Sequence, residues 1–179
     1  MAEKPAPLPP LTPEQASFLA SFLIRKLRHE FEITCRILKA VPAGQEAYRP
    51  HPNSRSTLEL AWHIACVDTW FLGCFLCGKF AMEDDSVPDD VSSVNDIREW
   101  YEDVFPEKLE KVSQLSPEFW STPLPFFNKY EYAPAAYLEI MLVHSVHHRG
   151  QLTAYLRPMG AKVPNIYGGS FDERSEEIE

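Results

Sequence analysis

Several things are scarce in this chain of 179 residues, and each scarcity excludes a class of protein. No window approaches the roughly 18 uninterrupted apolar residues of a membrane span. The N-terminus, MAEKPAPLPPLTPEQ, sets prolines where a signal peptide carries its apolar segment, so a soluble, non-exported protein is expected. Basic charge is in the minority: 17 Lys and Arg against 26 Asp and Glu leave a net charge of -9, with the cations scattered rather than striped. That balance offers phosphate backbones and anionic lipid little attraction, which argues against nucleic-acid and membrane partners. Four cysteines are too few for a disulfide scaffold. Cys66, Cys74 and Cys77 share one apolar run, as suits reduced thiols in a cytoplasm. Strand alternation and internal repeats are also missing, which leaves one helical domain as the expectation.

Proline is abundant where glycine is not, 16 against 7, and the prolines divide the chain into long Pro-free stretches. The first opens at Thr12-Pro13-Glu14-Gln15, a capping box with Pro at the first helical position, and runs to Val41-Pro42. Phe18, Phe22, Leu23, Leu27, Phe31, Thr34 and Leu38 recur there at helical spacing and predict the buried face. A second capping box at Ser56 to Glu59 predicts a helix to about Phe80, apolar nearly all round. Met82 to Val91 reads as an acidic loop. Ser92 or Ser93 then caps a third helix in which Pro106 predicts a kink or break. Ser116 to Ala133 reads as a long connection with room for a short extended piece, and a fourth helix runs from Pro134 to before Pro158. The fold class expected is all-α, a four-helix bundle with long crossovers filling residues 1–179, with 1–11 and about 168–179 flexible.

Four of six histidines lie in the second and fourth helices: His63, His144, His147 and His148. At about 100° per residue, His144 and His148 stand about 40° apart, on one stripe with Tyr137, Gln151 and Tyr155. His63 shares its stripe with Leu60, Val67, Trp70 and Cys74, so it is a polar group on a core-facing seam. An inward imidazole costs a few kcal/mol unless it is hydrogen-bonded, paired or bound to metal. Singly, each of these histidines reads as a satisfied core or surface residue. Taken together, the three form the protein half of a divalent metal site with an open position. His147, about 60° to the other side, reads as facing a neighbouring helix or the surface, with a contact to a ligand residue or to substrate as the alternative. Gln151 is placed to hydrogen-bond a group occupying the open position. Glu59, one turn before His63, is a candidate base or fourth ligand, although its capping-box duty is the blander role. Cys74 lies about 16 Å along the axis from His63 and Cys66 lies about 60° off the stripe, so neither suits as a ligand, and all four cysteines read as core. Arg149 faces away from the site as a packing or ion-pairing residue, and Gly150 reads as a point of close helix approach.

Three segments together, Glu59-Leu-Ala-Trp-His63-Ile-Ala, His144-Ser-Val-His-His148-Arg-Gly-Gln151-Leu and Gly160-Ala-Lys-Val-Pro-Asn-Ile-Tyr, resemble the DinB/YfiT-like family of metalloenzymes over nearly the whole chain. The resemblance implies a four-helix bundle of unusual topology, a nickel or zinc site on His63, His144 and His148, and a homodimer. It also implies thiol-dependent transferases or isomerases among the relatives, with a low-molecular-weight thiol as co-substrate. A reaction does not follow from a fold. Three functions therefore stand at this point: a metal-dependent transferase or hydrolase of small electrophiles, a noncatalytic metal or small-molecule binding module, and a metal-free helical interaction protein.

Overall fold

The computed structural model describes residues 8–127 and 129–174. Thr12 accepts from the Gln15 amide while the Gln15 side chain accepts from the Thr12 amide, and this reciprocal cap starts α1, Pro13–Lys39. The buried face of α1 is Ala16, Ala20, Leu23, Leu27, Ile33 and Ile37. Phe18 and Phe22, predicted to lie inside, are instead 75% and 54% exposed. Small alanines at the inner positions let the neighbouring helix approach, and the phenylalanines fall outside that contact. A second capping box, Ser56 with Glu59, starts α2, Thr57–Cys77. It stops short of the expected Phe80 because Gly78 takes the left-handed conformation (φ 66°) and closes the helix. By length and mean hydropathy (1.5) α2 is apolar enough to cross a membrane, but 61% of that window is buried inside the bundle.

Ser93 caps α3, Val94–Ser113, which stays one helix through Pro106 rather than breaking there. Tyr101, Phe105 and Leu109 anchor its inner face on both sides of the proline, and Phe105 stacks on Phe31 at 5.0 Å. The connection that follows holds a short α4, Pro117–Ser121, and, where the sequence left room for a short extended piece, an antiparallel pair, β1 (Leu124–Phe126) and β2 (Tyr130–Tyr132). Phe126 from that hairpin packs on Phe80 and Tyr137, so it is aromatic burial that holds three-residue strands too short to show alternation. The last long helix, α5, spans Pro134–Leu156, and a short α6, Phe171–Arg174, follows.

The long helices pack in the cyclic order α1, α3, α2, α5, so the α1 to α2 and α3 to α5 connections cross the bundle diagonally, whereas α2 and α3 are neighbours. This is the four-helix bundle with long crossovers that was expected. Leu8 to Leu11, expected to be flexible, line an apolar groove with α1 and the segment around β2. Asp172 of α6 accepts from the Val163 amide (2.8 Å), which ties the tail back to the bundle. The rest of the expected flexible ends, 1–7 and 175–179, lies outside the described residues. Gly150 is exposed, and a Cβ placed there meets nothing within 4 Å, so the helix approach expected at that point does not occur among the described residues. Cys77 is exposed, against the core role expected of it, whereas Cys74 is buried. All four cysteines are free.

Candidate metal centre

The neighbouring pair α2 and α5 brings His63, His144 and His148 together. Ring centroids are 5.1 Å apart for His63 and His144, 4.5 Å for His63 and His148, and 4.4 Å for His144 and His148. One nitrogen from each lies within 4.8 Å of the others, a spacing that allows all three to reach one ion. Burial disfavours the charged form of each ring. It lowers the pKa of His63 and His148, and it carries His144, with the neighbouring histidines adding to the effect, down to about 4. Neutral imidazoles are the form that ligates metal.

Hydrogen bonds decide which nitrogen is free. His63 Nδ1 lies 2.9 Å from Asp85 Oδ2, and His148 Nδ1 lies 3.0 Å from Gln151 Oε1. Both partners accept, so each ring carries its proton on Nδ1 and keeps the Nε2 lone pair. Among the described residues His144 Nδ1 is buried with no hydrogen-bond partner. A buried polar atom left without a partner is costly, and the Nε2 lone pairs of His63 and His148 stay free for a cation. The donor set suits borderline-soft divalent ions. The residues therefore fit a divalent metal.

Other predicted positions fall elsewhere. Gln151 holds His148 through its carbonyl and lies 3.0 Å from His147 Nε2 through its amide, so it braces two rings instead of pointing a free amide at the open position. Glu59 accepts from the Ser56 amide (2.6 Å) and from Arg49 (3.1 Å), and it does not join the histidine group. His147 is exposed and tethered by Gln151. Arg149 is buried on the opposite face of α5, paired with the Glu30 carboxylate and donating to Glu30 O (3.0 Å) and Thr34 Oγ1 (3.2 Å).

Two residues escaped the sequence reading. Asp85 sat unremarked in an acidic loop; nothing in its own neighbourhood marks it apart from Asp84 or Asp89. Asp68 is buried where α2, α3 and α5 meet, accepting from Tyr101 (2.8 Å) and Ser145 (3.1 Å) on one oxygen while the other has no partner. Burial raises its pKa to about 7. A carboxylate in the apolar α2 run was the available signal for it. A cleft of about 260 Å³ lies between Cys66, Val67, Trp70, Phe127 and the acidic loop residues Glu83 to Asp85; Asp85, the partner of His63, lines it, and the three histidines themselves do not.

A helical bundle with crossovers and a three-histidine centre between two helices defines the class. This chain belongs to the DinB family, whose model matches residues 18–179. Among solved structures it is similar to a DinB-like protein of Bacillus subtilis at 19% identity and TM-score 0.68, covering 83% of this chain and 99% of that one. It is also similar to a DinB-like protein of Bacillus cereus at 25% identity and TM-score 0.66, covering 81% and 95%. No curated protein matches it.

Proposed function

We propose that the protein is a metal-dependent enzyme acting on small electrophiles, either by transferring a low-molecular-weight thiol or by hydrolysis. The observation that carries this reading is the convergence of three neutral imidazoles, two of them locked by acceptors at Nδ1. Nickel or zinc suits three nitrogen donors, and when bound it supplies a Lewis acid that lowers the pKa of a thiol or water and stabilises developing negative charge. The chain's own residues do the rest. Asp85 and Gln151 orient the rings by accepting from His63 and His148. Among the described residues no fourth protein ligand joins the trio, which favours an open position over a closed binding module. Burial raises Cys66 and takes Cys74 up to about 11, which makes both poor nucleophiles, and exposed Cys77 lies about 21 Å along α2 from His63, so the nucleophile is taken to come from outside.

Metal-loaded protein is to be assayed against chlorinated and epoxide electrophiles, with a panel of small thiols and with none. Turnover requiring thiol and metal supports the transferase, and turnover without thiol supports the hydrolase. Activity persisting in His63→Ala contradicts both. The reading includes a cytoplasmic location and a homodimer. The dimer is supported by exposed Phe18, Phe22, Ile140 and Val143 on the packed pair α1 and α5. Light scattering that gives the single-chain mass at every concentration rejects the dimer.

A further inference from the structure

One carboxylate of the acidic loop between α2 and α3 differs from its neighbours. Glu83, Asp89 and Asp90 are exposed, and Asp84 closes its own turn by accepting from the Ser86 amide (3.0 Å) and hydroxyl (2.7 Å). Asp85 turns inward instead. Its Oδ2 receives both His63 Nδ1 (2.9 Å) and Arg55 Nη2 (3.1 Å). The Arg55 guanidinium pairs with it as a carboxylate. An ionised carboxylate only accepts, which obliges His63 to donate from Nδ1.

We propose that Asp85 is the positioning residue of His63: it fixes the tautomer and tilt that present Nε2 to the cation shared with His144 and His148. Arg55 fixes Asp85 in turn. The Arg55 carbonyl accepts from Tyr155 of α5 (3.3 Å), and the next residue, Ser56, caps α2. The loop, the start of α2 and the end of α5 are thereby joined through one carboxylate. The three rings are not equivalent: His63 has a charged partner, His148 an amide, and His144 Nδ1 has none. Outer partners of this kind set ring orientation and metal affinity. The role rests on the metal reading above, but the hydrogen bond that enforces it exists in the metal-free protein and can be read there.

Nitrogen NMR of the metal-free protein at pH 8 reports the tautomer of His63, and competition with a chromophoric chelator reports zinc affinity. Wild type is expected to hold His63 protonated on Nδ1. In Asp85→Ala the proton moves to Nε2, the form a free imidazole favours, and zinc binds about 10- to 100-fold more weakly. Asp85→Asn keeps an acceptor oxygen, restores the Nδ1 form and recovers part of the affinity. Asp90→Ala removes the same charge from the same loop and changes neither readout by more than about twofold, as screening at a Debye length of about 8 Å dictates. The proposal is overturned if His63 keeps its Nδ1 proton in Asp85→Ala, or if Asp90→Ala weakens zinc as much. Should wild type bind no zinc, the metal reading fails, and the tautomer still decides the role of Asp85.

Discussion

Helix α5 carries polar clusters on two faces, and they differ in one respect. On the α1 side, Arg149 is 1% exposed, and Glu30, Thr34 and Tyr167 take its donors, with Tyr167 also donating to Glu30 (2.7 Å). Donors are matched by acceptors, so the cluster closes on itself. On the α2 side, His63, His144 and His148 bring one nitrogen each within 4.8 Å of the others. The Nε2 lone pairs of His63 and His148 are left free by the acceptors on their Nδ1 atoms, and among the described residues His144 Nδ1 is unmatched. A matched cluster ties two helices together. A cluster of surplus lone pairs lacks a cation. Burial alone does not separate the two cases; the balance of donors and acceptors does.

Breaking the closed cluster should have the largest effect on stability. Arg149→Met keeps the volume and leaves Glu30 a buried charge without its guanidinium, at a cost of about 3–5 kcal/mol. Urea denaturation of metal-free protein measures it, and a loss below 1 kcal/mol would show that the ion pair does not hold α5 to α1.

Asp68 lies between the two clusters and gives a pH-dependent test. Its pKa of about 7 in the folded chain exceeds the ordinary value of 3.8, so between these values the folded state holds the extra proton. Its contribution to stability is complete below about pH 4 and is lost as pH rises through about 7. Asp68→Asn removes that loss, so the variant should gain on wild type from about pH 4 to about pH 7 and no further above it, by on the order of 1 kcal/mol per unit at most. Parallel stability curves for the two proteins would contradict the buried acid.

The open cluster is sharpened by Gln151→Ala, which frees the His148 ring without removing a ligand. Zinc affinity should fall about tenfold, the low end for an outer partner, because the amide is neutral and exposed. Unchanged affinity would mean that His148 is oriented by packing alone. The smallest effect is expected at Gly150, which touches neither cluster. Gly150→Ala meets open space and should stabilise α5 by about 0.5–1 kcal/mol. Destabilisation there would reveal a partner surface on that face.

Much of this was legible in the sequence, for identifiable reasons. Capping boxes at Thr12 and Ser56 are local chemistry and located two helix starts to the residue. The four- and seven-residue spacings on α5, with one histidine on α2, named the residues that now stand within reach of one ion, because helical phase is a property of sequence. Phase could not say which of two faces of α1 meets a neighbour, and so Phe18 and Phe22 were placed inside. Pro106 was read by its local cost, which packing of Tyr101, Phe105 and Leu109 overrides. Asp85 lies 22 residues from His63, and only the fold of the loop between α2 and α3 brings the two together.

The central claim is that His63, His144 and His148 hold one divalent cation. Elemental analysis of protein purified without an affinity tag, alongside each histidine-to-alanine variant, tests it most directly. The account predicts one nickel or zinc per wild-type chain, severe loss in His63→Ala, His144→Ala and His148→Ala with helical content retained, and most of the metal kept in His147→Ala. Full occupancy in His148→Ala, or a wild-type chain that takes up no metal when supplied with it, would contradict the account.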